Sequence, residues 1–103
     1  MAKLSVLILA KNEEKNIADC IRSVAFADEV VVIDDFSEDR TAAIAGSLGA
    51  HVVQRAMKGN WGEQQTFAIK QASHDWIFFL DADERASNRL AAKVREVVAA
   101  DDR

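Results

Sequence analysis

Three carboxylates fall within four residues at Asp81-Ala82-Asp83-Glu84, directly after the most apolar run of the chain, Trp76 to Leu80 (WIFFL). A concentrated negative site beside a dry strand suits a cation, and carboxylate oxygens match the hard ions Mg²⁺ and Mn²⁺. Mg²⁺ is usually held by one or two carboxylates with waters and substrate phosphates, so a phosphorylated ligand would complete the shell. An Asp-x-Asp alone is common by chance. The same residues could simply start the helix that follows, with Asp83 or Ser87 as N-cap and Glu84 favouring the helix dipole.

A second acidic stretch, Asp34-Asp35-Phe36-Ser37-Glu38-Asp39, follows another apolar run, Glu29 to Ile33 (EVVVI). Ser37 or Asp39 can cap the next helix, which explains them without a ligand. Capping explains Asp35 poorly: two adjacent acids repel, an arrangement that makes sense when one accepts from a ligand N–H or a ribose hydroxyl. Farther on, Arg55, Lys58, Gly59, Asn60 and Gly62 form a polar loop in which a cation could meet a diphosphate and glycines would let the backbone approach it; a solvated turn is the plain alternative. There is no Gly-x-Gly-x-x-Gly after the first apolar run and no Gly-Lys-Ser/Thr loop, so neither a dinucleotide fingerprint nor a P-loop is present. His51 and His74 lack partners at zinc-ligand spacing and read as structural, Cys20 reads as core, and Trp61 and Trp76 read as core or pocket wall.

The elements that must position these groups alternate along the chain. Leu4 to Ala10 (LSVLILA) reads as a strand, and Lys11 to Val24 as a helix with Ile17, Cys20, Ile21 and Val24 on its apolar side. After the strand at 29–33, Ile44, Ala45 and Leu48 mark a helix stopped by Gly46 or Gly49. A weaker strand at 50–54 (AHVVQ) precedes a helix at 64–72, and the strand at 76–80 precedes a last helix carrying Leu90, Ala91, Val94, Val97 and Val98. Four βα units in series predict an open α/β sheet of about four parallel strands with flanking helices. Continuous apolar strands predict burial on both faces. Ligands of such sheets bind beyond the carboxyl ends of the strands, which singles out Lys11, Asn12 and Glu13; Asp34, Asp35 and Ser37; Arg55 and Lys58; and Asp81, Asp83 and Glu84.

Composition narrows the function. With 103 residues the chain predicts one domain, spanning 1–103, with a core that needs no disulfide or metal staple. Its 13 Lys plus Arg against 17 Asp plus Glu give a net charge of -4 and no basic stripe, which argues against nucleic acid as a partner. A lone cysteine asks for no oxidising compartment, so a cytoplasmic location is expected, and no segment approaches the ~20 apolar residues of a membrane span.

LSVLILAKNEEKNIADCIRSV, VVIDDFSEDRTAAIA and WIFFLDADE, in that order and spacing, resemble the N-terminal half of an inverting family-two glycosyltransferase with the GT-A fold, over nearly the whole chain. The resemblance implies a nucleotide-sugar-binding α/β domain, truncated at its C-terminus. It implies that Ala10 and Lys11 border the nucleobase, Asp35 accepts from the base, Asp81 approaches the ribose, and Asp83 ligates Mg²⁺ or Mn²⁺ on the diphosphate. Glu13 and Lys58 join the expected nucleotide-sugar set from their places at the ligand edge. Asn12-Glu13-Glu14 and the DADE tetrapeptide look more like the bacterial lipopolysaccharide-core branch than like cellulose or chitin synthases. That branch implies a saccharide or lipopolysaccharide-core acceptor and peripheral association of the full-length protein with the cytoplasmic face of the inner membrane. The catalytic base of family members lies downstream of the Asp-x-Asp, so no residue is assigned to that role and the 103 residues alone are expected to be inactive. Two other functions compete: a noncatalytic α/β nucleotide-binding or interaction module, and a receiver-like phosphoacceptor. The latter fails because it wants its acidic pair after the first strand and a Lys near the last.

Overall fold

A computed structural model describes residues 2–101. Four strands and four helices alternate: β1 (Leu4–Ala10), α1 (Ile17–Ser23), β2 (Glu29–Asp34), α2 (Thr41–Ser47), β3 (His51–Gln54), α3 (Trp61–Gln71), β4 (Trp76–Phe79) and α4 (Asn88–Ala99). The strands form one parallel sheet in the order β3-β2-β1-β4. The first two crossovers step outward from β1 to β2 to β3, and the third returns across the sheet to place β4 on the other side of β1. That reversal creates a switch point at the carboxyl ends of β1 and β4, where open α/β sheets open a ligand crevice.

Strand alternation divides the core. Leu4, Val6, Ile8 and Ala10 face a cluster with Ile17, Cys20 and Ile21 of α1, Ala45 of α2 and Val98 of α4. Leu7, Val31 and Ile33 face the opposite side, against Ala68 and Phe67 of α3. Three helices thus cover one face and a single helix the other. The expectation of strands buried on both faces holds for most of β1 and for Val31 to Asp34 of β2, whereas β3 and β4, as edges, stay half-exposed or exposed throughout.

The helices depart from the sequence pattern at their starts. α1 begins at Ile17 instead of continuing from Lys11, because the backbone N–H groups of Asn12, Glu13 and Glu14 donate to side chains of the next βα loop, not along a helix. α2 runs through Gly46, and Gly49, at φ +88, is the residue that stops it. α3 begins earlier than its apolar pattern, at Trp61, because the Asn60 side chain caps it by accepting from the Glu63 N–H.

Candidate functional site

Two loops meet at the carboxyl ends of β1 and β2, and side chains zip them together. Asp34, fully buried at the end of β2, accepts from the Ser37 N–H (3.1 Å), the Ser37 hydroxyl (2.5 Å) and the Gln54 amide (3.1 Å). Ser37 Oγ in turn accepts from the Asn12 N–H at 2.8 Å, while Asn12 Oδ1 accepts from the Glu38 N–H at 2.8 Å. Thr41 Oγ1 accepts from the Glu13 N–H at 2.8 Å and donates to Asp39, whose other oxygen accepts from the Glu14 N–H. These bonds hold Asn12 at φ +53 and Phe36 at φ +47, left-handed conformations that a loop keeps only when its surroundings over-determine them. The Thr41 hydroxyl bond, followed by backbone N–H groups, also holds the Asp39 carboxyl below the usual range.

The zipper assigns different work to the two adjacent acids. Asp34 is occupied internally. Asp35 points into a cavity of about 150 Å³ lined by Leu9, Ala10, Lys11, Ile33, Met57, Trp61 and Gln64. One Asp35 oxygen accepts from the Met57 N–H at 3.0 Å, and the other lies 3.9 Å from the Lys11 ammonium. Carboxylate oxygens offer about four acceptor sites between them, so the group keeps capacity for a ligand N–H. Ala10, Lys11 and Asp35 therefore line one cavity.

Other expected residues stand apart from that cavity. Glu13 accepts from the Asn16 amide at 3.1 Å, and its carbonyl accepts from the Asn16 and Ile17 N–H groups, so it supports the entry to α1. Lys58 is exposed in a turn at φ +53 and is not part of the cavity lining. Arg55 is drawn away from any diphosphate: it donates to Gln64 at 2.7 Å and lies over the Phe67 ring at 4.9 Å.

The acidic loop after β4 is held from the side by α1. Cys20 Sγ contacts the Asp81 carbonyl at 3.4 Å, Ser23 Oγ accepts from the Ala86 N–H at 2.9 Å, and Arg85 pairs with Asp19 at 2.8 Å. Ala82 and Ala86 are buried while Asp81, Asp83 and Glu84 face outward, so the loop is pinned by its small residues and presents its acids. The Asp81 N–H donates to Glu84 at 3.0 Å. Burial, then the charges of Glu84 and Asp83, raise the Asp81 carboxyl above its usual range. Burial first, and then Glu84, Asp83, Asp81 and Glu13, push the Cys20 thiol up to about 12. The carboxylate of Glu13 thus belongs to the same negative field as the acidic loop.

Capping of α4 falls to Ser87, whose hydroxyl accepts from the Leu90 N–H at 3.0 Å. Asp83 is therefore not needed as the helix cap. Among the described residues no three His, Cys, Asp or Glu converge as a complete metal cage. The exposed Asp81 and Asp83 carboxylates are of the oxygen-donor type a Mg²⁺-type ion takes, one or two at a time with waters and phosphate oxygens in the rest of its shell. The pairing of Arg85 with Asp19 leaves the acids of this loop without that cation and strengthens the fit. Sequence reasoning missed the lining residues Met57 and Gln64 and left Trp61 between core and pocket wall. A Trp directly after a capping Asn was the one available signal.

Comparison with known proteins bears on the family and the fold. The Glycosyl transferase family 2 model matches residues 5–103. A lipopolysaccharide core biosynthesis glycosyltransferase, LpsC of Rhizobium meliloti, is 38% identical over 103 residues, covering 96% of this chain and 38% of that protein. Residues 1–349 of TarS from S. aureus superpose with a TM-score of 0.79 at 30% identity, covering 94% of this chain and 31% of that one. Glucosyl-3-phosphoglycerate synthase of Mycobacterium tuberculosis, crystallised with Mn²⁺, uridine diphosphate and glucosyl-3-phosphoglycerate, superposes with a TM-score of 0.70 at 27% identity, covering 82% and 36% of the two chains. The chain spans between a third and two fifths of the length of such curated relatives. Among the described residues, no helix is long and apolar enough to cross a membrane.

Proposed function

The chain belongs to glycosyl transferase family 2, and from that premise we propose that it forms the donor-binding part of an inverting glycosyltransferase that takes a nucleotide-diphosphate sugar. The observation that carries this reading is the Asp35 cavity at the ends of β1 and β2, set beside the outward-facing acids that follow β4. In this reading the base enters between Ala10, Lys11 and Asp35, and its N–H edge donates to the Asp35 carboxylate. Asp81 approaches the ribose and Asp83 holds Mg²⁺ or Mn²⁺. Glu13 adds to the field that attracts the cation, and Lys58 reaches the phosphates from the loop after β3.

The metal would supply charge neutralisation of the departing diphosphate. The protein's own contribution is to hold the reacting atoms in place and to concentrate negative charge where that cation is needed. No residue of this chain is assigned as general base. The likeness to LpsC supports a saccharide or lipopolysaccharide-core acceptor, which the full-length protein would meet by peripheral association with the cytoplasmic face of the inner membrane.

Thermal-shift titration with uridine and guanosine diphosphates, with and without Mn²⁺, tests the reading. Stabilisation by a nucleoside diphosphate should require the metal, and ~100-fold excess over Kd should add roughly 2.7 kcal/mol. Stabilisation equal in chelator would overturn the metal arrangement. Absence of any nucleotide effect would favour a noncatalytic interaction module.

A further inference from the structure

We infer that Trp61 is the stacking wall of the base slot, so that the flat face of a nucleobase lies on the indole while its edge reaches Asp35. The inference deepens the donor-site reading and rests on it. Trp61 lines the Asp35 cavity yet is 55% exposed, one of few large apolar side chains left open to solvent. An indole at the mouth of a slot whose interior carries a carboxylate acceptor offers both contacts a base needs, a π-face and a hydrogen-bond partner.

The helix that carries the indole is tied at its start. Asn60 caps the helix directly before Trp61. Gln64, three residues on and so on the same side of α3, is fully buried and doubly tied to Arg55, donating to its carbonyl at 2.6 Å and accepting from its guanidinium at 2.7 Å. Across the slot, the Met57 N–H fixes the Asp35 carboxylate at 3.0 Å. The start of α3 and the acceptor carboxylate are therefore positioned before any ligand arrives, which lowers the ordering cost of binding.

Isothermal titration of the 103-residue chain with uridine diphosphate in Mn²⁺, and separately with inorganic pyrophosphate in Mn²⁺, decides the matter. Removal of a stacking partner costs roughly fivefold to 150-fold in affinity per base. Trp61→Ala should lose that much for uridine diphosphate and retain parental affinity for pyrophosphate, which has no base to stack; Trp61→Phe should stay within a few-fold for both. Uridine diphosphate should quench the tryptophan emission of the parent and of Trp76→Phe, but not of Trp61→Phe, since the Trp76 indole is occupied with Asp101 at 2.6 Å. If the parent binds uridine diphosphate and Trp61→Ala binds it equally well, or weakens pyrophosphate to the same degree, the stacking assignment falls and the donor-site reading stands. If the parent binds pyrophosphate but not the nucleotide, both fall together.

Discussion

The loops after β1 and β2 and the loop after β4 sit at the same edge of one sheet, yet they are built on opposite electrostatic plans. In the first region most acids are answered by protein donors: Asp34 by Ser37 and Gln54, Asp35 by the Met57 N–H, Asp39 by Thr41 and Glu14, Glu13 by Asn16. In the second, Asp81, Asp83 and Glu84 crowd one another, and burial with like charge raises the Asp81 carboxyl. The difference teaches that the loops after β1 and β2 are preorganised by hydrogen bonds, whereas the acidic loop is left short of positive charge. A hydrogen-bonded region should fail by losing stability, and a charge-crowded one by losing ligand.

The largest expected effect is on the zippered side. Asp34→Ala removes a buried acceptor with three donors, and stranding buried polar groups costs ~1–3 kcal/mol apiece, so urea denaturation should show a loss of about 3 kcal/mol or more. A loss below ~1 kcal/mol would mean that the loops do not depend on this carboxylate.

Next, Asp83→Asn should leave stability without ligand within ~0.5 kcal/mol of the parent, as an exposed substitution away from a cap. It should also abolish most of the roughly 2.7 kcal/mol that saturating nucleotide and Mn²⁺ add. Parental metal-dependent stabilisation in this variant would break the contrast between the regions.

A smaller effect sharpens the comparison. Ser23 Oγ is the partner of the Ala86 N–H, so Ser23→Ala should cost about 1 kcal/mol in a denaturation experiment. An unchanged midpoint would show that Cys20 and Asp19 suffice to hold the loop.

The smallest effect is a pH slope. The folded Asp39 carboxyl is depressed, chiefly by the Thr41 hydroxyl, so its stabilisation is present above the ordinary Asp pKa of about 3.9 and is lost as pH falls through the lower folded value. Melting temperature should therefore fall on acidification below about pH 4, and less so in Asp39→Asn. Equal slopes for the two proteins would remove Asp39 from the zipper's energetics.

Much of this was legible in the residues. The runs LSVLILA, EVVVI and WIFFL gave their strands to within a residue, because uninterrupted branched and aromatic residues favour the pleated strand, although the last of them lies at the sheet edge. The same logic placed Lys11, Asp35 and Asp81 at the ligand edge. Asn12, Glu13 and Glu14 misled as the first turn of a helix, because their N–H partners, Ser37, Thr41 and Asp39, lie 25 to 28 positions away. Local pattern carries no trace of such a bond. Trp61 stayed open between core and pocket wall for the same reason: exposure depends on what packs opposite, and nothing opposite was written nearby.

By itself the sequence determined the succession of strands and helices, the acidic groups at the strand ends and the family resemblance, all of which follow from hydrophobic periodicity and short-range spacing. The sequence singled out Asp35 of two neighbouring aspartates, but only tertiary structure shows what occupies Asp34 and what cavity Asp35 faces. In an isolated peptide Asp34 and Asp35 are equivalent carboxylates. In the fold Ser37 closes on the first together with Gln54, brought beside it by β3, while the Met57 N–H reaches the second. Burial and directional hydrogen bonding, not residue type, assign their work.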